Sequence, residues 1–188
     1  QKYLPTCHFQ VGLAAAQKGD FTSALASLNK ANEMGELYGV SSAARNAKTM
    51  LSRVYTMMAA EPFNNKDYAK AAEIFAQGYA ANKQDTDLAL NLAMSYCELG
   101  DLDKGMGVYK EIAALGNVHS RFQPAAASAK EKAAYYLTLK AQELVGAGSN
   151  ADAYALIDKY IDVDNGNAQM MRLQAATNAQ EWDNVIAW

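Results

Sequence analysis

The chain has 188 residues, 51% of them hydrophobic and 20% charged, with a formal net charge of −3; this suffices for one domain with a sizeable core and argues against disorder. Its 17 basic residues are dispersed among 20 acidic ones, so the counterion release that drives nucleic-acid binding has no basic patch to act through, which argues against DNA or RNA as a partner. No apolar run approaches the roughly 20 residues of a membrane-spanning helix, and an Ala- and Leu-rich sequence with only Pro5, Pro62 and Pro124 to interrupt it favours an all-α fold.

Taken in chain order, the apolar periodicity predicts ten helices, over 5–18, 21–34, 41–60, 67–82, 86–99, 102–115, 124–147, 150–163, 166–179 and 182–188. Pairs of helices are separated by short turns. Gly19-Asp20-Phe21, Gly100-Asp101-Leu102 and Gly148-Ser149-Asn150 place a glycine where the chain turns through the left-handed region, and Lys66-Asp67-Tyr68 and Gln180-Glu181-Trp182 stand in the same place without one. Small or apolar residues follow at fixed offsets: Ala24, Leu28 and Ala31 after Phe21; Ala71, Phe75 and Gly78 after Tyr68; Gly105, Tyr109 and Ile112 after Leu102. The helices opening at Ser41 and Pro124 are longer than the rest, the second begun by a proline suited to a first helical turn.

The turn marks are spaced 47, 34, 48 and 32 residues apart, and a shift of 81 residues lays Gly19 on Gly100, Gly35 on Gly116 and Tyr55 on Tyr136. A double unit, short then long, therefore reads as duplicated. A third copy begins near Asn167, and its last residues, Trp182, Val185, Ile186 and Trp188, are largely apolar where a helical array needs a polar closing face, so the natural chain is expected to continue past Trp188.

Leu92, Ala93, Tyr96, Gly100, Asp101, Leu102, Gly105, Tyr109 and Ile112 resemble the tetratricopeptide repeat; Val11, Gly12, Gly19, Phe21, Ala24, Leu28 and Ala31 are similar to a second copy, and Tyr55, Tyr68, Ala71, Phe75 and Gly78 to a third. The resemblance covers nearly the whole chain as one repeat domain, with repeats near 5–38, 41–84, 86–119 and 124–165 and an incomplete one over 166–188. It implies an α-solenoid, a right-handed superhelix of antiparallel helix pairs whose first helices line an inner groove for an extended peptide or a partner's helix. Carried over position by position, the groove-facing residues are Phe9, Leu13 and Gln17; Asn46, Thr49 and Arg53; Leu90, Met94 and Glu98; Tyr135, Thr138 and Gln142; and Asn167, Met170 and Gln174. Relatives that hold the acidic tail of chaperones use several cations there. Here Arg53 is the one cation placed in the groove, which points to an apolar or amide-bearing peptide.

Catalytic and metal chemistry find no apparatus. His8 and His119 have no partner at metal-ligand spacing. Asp162, Asp164, Asn165, Gly166 and Asn167 look like the start of a calcium loop, but counted from Asp162 the sixth and twelfth places hold Asn167 and Leu173, where glycine and an acid are required. Cys7 and Cys97 read as small buried apolar residues rather than a disulfide. The repeat-locked tyrosines and most methionines read as core; Met57 and Met58, beside Ala59, Ala60 and Pro62, are candidates for a projecting knob.

The expectation is a non-enzymatic scaffold that binds a peptide or partner helix in its groove, with no cofactor. Two alternatives stand beside it: an assembly component docking through its ends and through Met57, Met58 and Phe63, or an accessory domain of a longer nutrient-binding or enzymatic protein. A start at Gln1 without Met fits a periplasmic or secreted product after signal removal, and equally a trimmed chain that stays in the cytoplasm.

Overall fold

A computed structural model describes residues 3–160, 165–178 and 180–181. Among these residues the fold is all-α, with nine α-helices: α1 (Leu4–Gln17), α2 (Phe21–Leu37), α3 (Ser41–Asn64), α4 (Tyr68–Ala81), α5 (Thr86–Glu98), α6 (Leu102–Val118), α7 (Gln123–Gly146), α8 (Asn150–Lys159) and α9 (Asn165–Asn178), with one 3-10 turn (Ser120–Phe122) before α7. The tenth helix expected over 182–188, its apolar end, and Asp162 and Asp164 of the calcium-like run lie outside the described residues.

Two compact units divide within α5, Gln1–Ser95 and Tyr96–Trp188. In the first, α1 packs on α2, α2 on α3, α3 on α4, and α1 also touches α3. In the second, α6 packs on α7, α7 on α8, α8 on α9, and α7 also touches α9. Helices that pack on their chain neighbours and on the next-but-one are the arrangement of an α-solenoid.

The turns follow from local chemistry. Gly19, Lys66, Gly100, Gly148 and Gln180 all adopt positive φ, 78°, 61°, 89°, 77° and 58°. The residue after each closes the preceding helix with a six-residue loop: Asp20 donates to the Ala15 carbonyl, Asp67 to Pro62, Asp101 to Tyr96, Ser149 to Leu144 and Glu181 to Ala176. Asp20, Asp67 and Asp101 then open the next helix, their carboxylates accepting from the backbone N–H of Ser23, Lys70 and Lys104. The Lys104 side chain and backbone donate to Asp101 and hold its carboxyl below the usual range. One turn thus stops one helix and starts the next.

Small residues set the helix spacing. A Cβ at Gly35 would lie 2.7 Å from the Ala44 nitrogen, one at Gly116 2.5 Å from the Ala126 Cβ, and one at Gly78 2.8 Å from the Tyr55 Cβ. Ala24, Leu28, Ala31, Ala71, Phe75, Gly78, Gly105, Tyr109 and Ile112, the residues at the fixed offsets, are all buried. The inward face of α7 is Ala126, Ala129, Ala133, Leu137 and Ala141, a nearly all-alanine helical stripe that admits close approach. The buried serine hydroxyls are satisfied: Ser52 donates to the Lys48 carbonyl and accepts from Asn82, and Ser95 donates to the Asn91 carbonyl.

Four details depart from expectation. α3 runs through Pro62 to Asn64 instead of ending near 60. The proline forgoes one N–H donor in the last turn, while its ring is buried and Phe63 packs edge-on against Tyr68 and Phe75 at 5.5 and 6.2 Å. Val11 is 56% exposed, because no described helix covers that side of α1. Cys7 is also exposed, lying off the buried face formed by Pro5, Gly12 and Ala16, and both cysteines are free thiols. The 3-10 turn carries the buried Phe122, an anchor between α6 and α7 that no periodicity announced.

Candidate functional site

The residues expected to face a groove assemble unevenly. In the first unit, Phe9 and Leu13 of α1 and Asn46, Thr49 and Arg53 of α3 line a single cleft of about 300 Å³, together with Met50. Three, four and seven residues separate these positions on α3, one face of a helix. Phe9 and Met50 also rest on the core of Ala16, Leu28, Leu51 and Val54, so the floor is anchored. At the rim, Asn46, Thr49 and Arg53 are exposed. Thr49 donates its hydroxyl to the Arg45 carbonyl at 3.1 Å, leaving its oxygen lone pairs as acceptors.

A second cleft of about 240 Å³ lies between α7 and α9, lined by Thr138, Ala141, Gln142, Val145, Gly146, Met171, Gln174 and Ala175. Like the first, it sits between the first helices of successive pairs, with an apolar floor and polar rim. Thr138 donates to Ala134 within its own helix, and Gln142 and Gln174 supply amide donors and acceptors.

The remaining predicted residues stand apart. Leu90 and Met94 are half-buried on α5 and line neither cleft; Gln17 is exposed and also lines neither. Tyr135 is 58% exposed and meets the Tyr136 ring edge-on at 5.2 Å rather than lining the α7–α9 cleft. Met170 is exposed, and its neighbour Met171 takes the place in the cleft. The side chain of Asn167 lies outside the described residues. Glu98 accepts a 2.6 Å hydrogen bond from the Tyr136 hydroxyl. Met50 was missed because its type suggested filling, although its place four after Asn46 and three before Arg53 put it on the same helical face.

Near the Tyr136–Glu98 bond, burial and the charges of Glu98 and Asp101 push the Cys97 thiol up to about 12. Burial also raises the hydroxyl of Tyr109, and burial together with the Glu98 acceptor raises that of Tyr136. A thiol kept protonated is inert as a nucleophile. Among the described residues no group of three or more His, Cys, Asp or Glu is placed to hold a metal, and no helix is long and apolar enough to cross a membrane. The supposed knob is also largely spent: Phe63 and Met58 are packed, and only Met57, 47% exposed, faces water.

Antiparallel helix pairs, joined by left-handed capped turns and leaving a cleft between consecutive first helices within each unit, define a helical repeat protein of the solenoid class. Residues 63–130 match the tetratricopeptide repeat family, which supports a repeat of that type in this helical array. No curated protein matches the chain.

Proposed function

We propose that the protein is a non-enzymatic interaction scaffold that holds a segment of a partner protein in the clefts between its first helices. Tetratricopeptide repeats serve in general as protein-interaction scaffolds. The observation that carries the reading is the convergence of Phe9, Leu13, Asn46, Thr49, Met50 and Arg53, from two helices, on one cleft with an anchored apolar floor and a hydrogen-bonding rim. Such a surface fits an extended peptide: the floor takes a side chain and the rim bonds the backbone or its neighbours.

The test is selection of a random peptide library on the full chain, followed by binding of the enriched peptides to Asn46→Trp and Gln142→Trp. Both positions are exposed, so a large side chain there fills a cleft without entering the core. Loss of binding in at least one variant, with unchanged thermal melting, is the expected result. Undiminished binding to both removes the clefts as the site.

A further inference from the structure

We infer that the α1–α3 cleft selects an anionic segment, one that presents an apolar side chain and, two positions away, an aspartate or glutamate. This rests on the scaffold reading above, names the chemistry of its partner, and replaces the uncharged peptide expected from the sequence with one carrying a single acid for Arg53.

The charge around this cleft runs against that of the protein. The whole chain carries −3. Yet α1 contains no acidic residue, and α3 carries Arg45, Lys48 and Arg53 against Glu61 alone. Of the three cations, Lys48 is engaged by Glu36 at 2.7 Å. Arg45 and Arg53 are exposed and have no ion-pair partner among the described residues. Arg53 stands at the mouth of the cleft, and none of the six lining residues is acidic. Glu61 lies two turns beyond Arg53, about 12 Å along the helix axis. An exposed guanidinium beside an apolar floor is therefore the strongest charge a docking segment meets.

The spacing sets the motif. Asn46 and Arg53, seven residues apart, are separated by about 10 Å along α3, the span of roughly three residues of extended peptide. A side chain seated over Phe9, Leu13 and Met50 lies about midway, about 5 Å along the axis from Arg53, and the reach of the arginine side chain extends this to the roughly 6–7 Å between alternate residues on one side of a strand. An apolar residue, any residue, then an acid matches that distance. Asn46 and the Thr49 oxygen lie along the same line to bond the backbone between them. The α7–α9 cleft has the same apolar floor but only hydroxyl and amide groups on its rim, so it offers no such preference.

The experiment pans a random twelve-residue display library on the full chain and on Arg53→Gln, Arg53→Glu and Asn46→Trp, then measures synthetic versions of enriched peptides by fluorescence anisotropy. Expected is enrichment of the apolar-x-acid pattern on the native chain. A Glu→Gln version of the leading peptide should bind on the order of tenfold more weakly, a difference that shrinks as salt rises. Arg53→Gln should erase that discrimination, Arg53→Glu should select Lys or Arg in its place, and Asn46→Trp should lose the peptides altogether. If enriched peptides are neutral, ignore Arg53 and still fail on Asn46→Trp, the charge assignment is overturned and the scaffold reading stands. If no peptide is enriched, or those enriched ignore Arg53 and both cleft-filling variants, Asn46→Trp and Gln142→Trp, both are overturned.

Discussion

Residues 4–81 and 86–159 are built on the same plan, 81 residues apart, and differ chiefly on one face. Their helices run 14, 17, 24 and 14 residues in the first and 13, 17, 24 and 10 in the second. Gly35 against Ala44 and Gly116 against Ala126 provide the same close approach of second helix to long helix. The faces of the long helices that line clefts have nothing in common beyond apolar floors: α3 brings Asn46, Thr49 and Arg53, α7 brings Thr138 and Gln142. Contacts that fix the backbone tolerate few residue types, whereas a solvent-facing rim is free to change its chemistry while the scaffold stays put.

The most severe way to break the shared plan is to fill its close contacts. Gly35→Leu and Gly116→Leu each force a side chain into backbone or Cβ atoms closer than 3.0 Å, and each should cost about 1–3 kcal/mol or more. Paired thermal melts should show comparable losses; a tolerated Gly116→Leu would separate the halves. Gly105→Leu, at a buried position of α6, should fall in the same range. Gly107 is the control on the same helix: a Cβ there meets nothing within 4 Å, and Gly107→Ala should stabilise by about 0.5–1 kcal/mol through backbone entropy.

The turns sharpen the comparison at lower cost. Lys66 closes α3 in the first half at φ 61°, whereas Gly148 closes α7 in the second at φ 77°. A side chain in this region costs roughly 1–2 kcal/mol. Gly148→Ala should therefore destabilise by about 1 kcal/mol, and Lys66→Gly should stabilise, by less, because glycine also gains entropy in the unfolded chain. Urea denaturation of the two variants checks the signs; a destabilised Lys66→Gly would mean that the Lys66 side chain makes contacts outweighing its backbone strain.

Much of this was legible in the sequence because its signals are local. A left-handed residue, an Asp cap and an offset of three, seven and ten state a helix-turn-helix within about fifteen positions, and Lys66 and Gln180 were recognisable by their place even without glycine. Five residues of the α1–α3 cleft were legible for the same reason, since a helical face is set by period alone. What failed needed a neighbour. Whether Val11 is covered, whether Phe63 projects or folds back on Tyr68 and Phe75, and whether a helix passes through Pro62 are settled by packing across elements, on which periodicity is silent. Tyr135 shows the limit from the other side: it precedes Thr138 and Gln142 by three and seven positions, yet its ring meets Tyr136 edge-on and does not line the cleft.

The smallest effects distinguish Tyr55 from Tyr136, which occupy matching positions. Tyr55 packs its Cβ against Gly78, while Tyr136 donates to Glu98. Tyr136→Phe should cost about 0.5–1 kcal/mol, the usual contribution of a partly exposed hydrogen bond, and Tyr55→Phe close to nothing. Tyr109→Phe should be neutral or mildly stabilising, since the buried hydroxyl of Tyr109 has no hydrogen-bond partner among the described residues. The second unit also gains a pH signature. Tyr109, Tyr136 and Cys97 all have their acid forms favoured by folding. A group raised above its unfolded value contributes stability that is complete below that unfolded value and declines as pH climbs toward the folded one. The thiol share should fade from about pH 9 toward 12, and the tyrosine share from about pH 10 upward. Denaturant midpoints should accordingly fall above about pH 9, and Tyr109 and Tyr136 should ionise late, together with loss of helical ellipticity. Tyr136→Phe should remove the late ionisation of that residue; if Tyr109 and Tyr136 titrate near about pH 10 with the helices intact, water reaches this junction and the second unit is packed no more tightly there than at its rim.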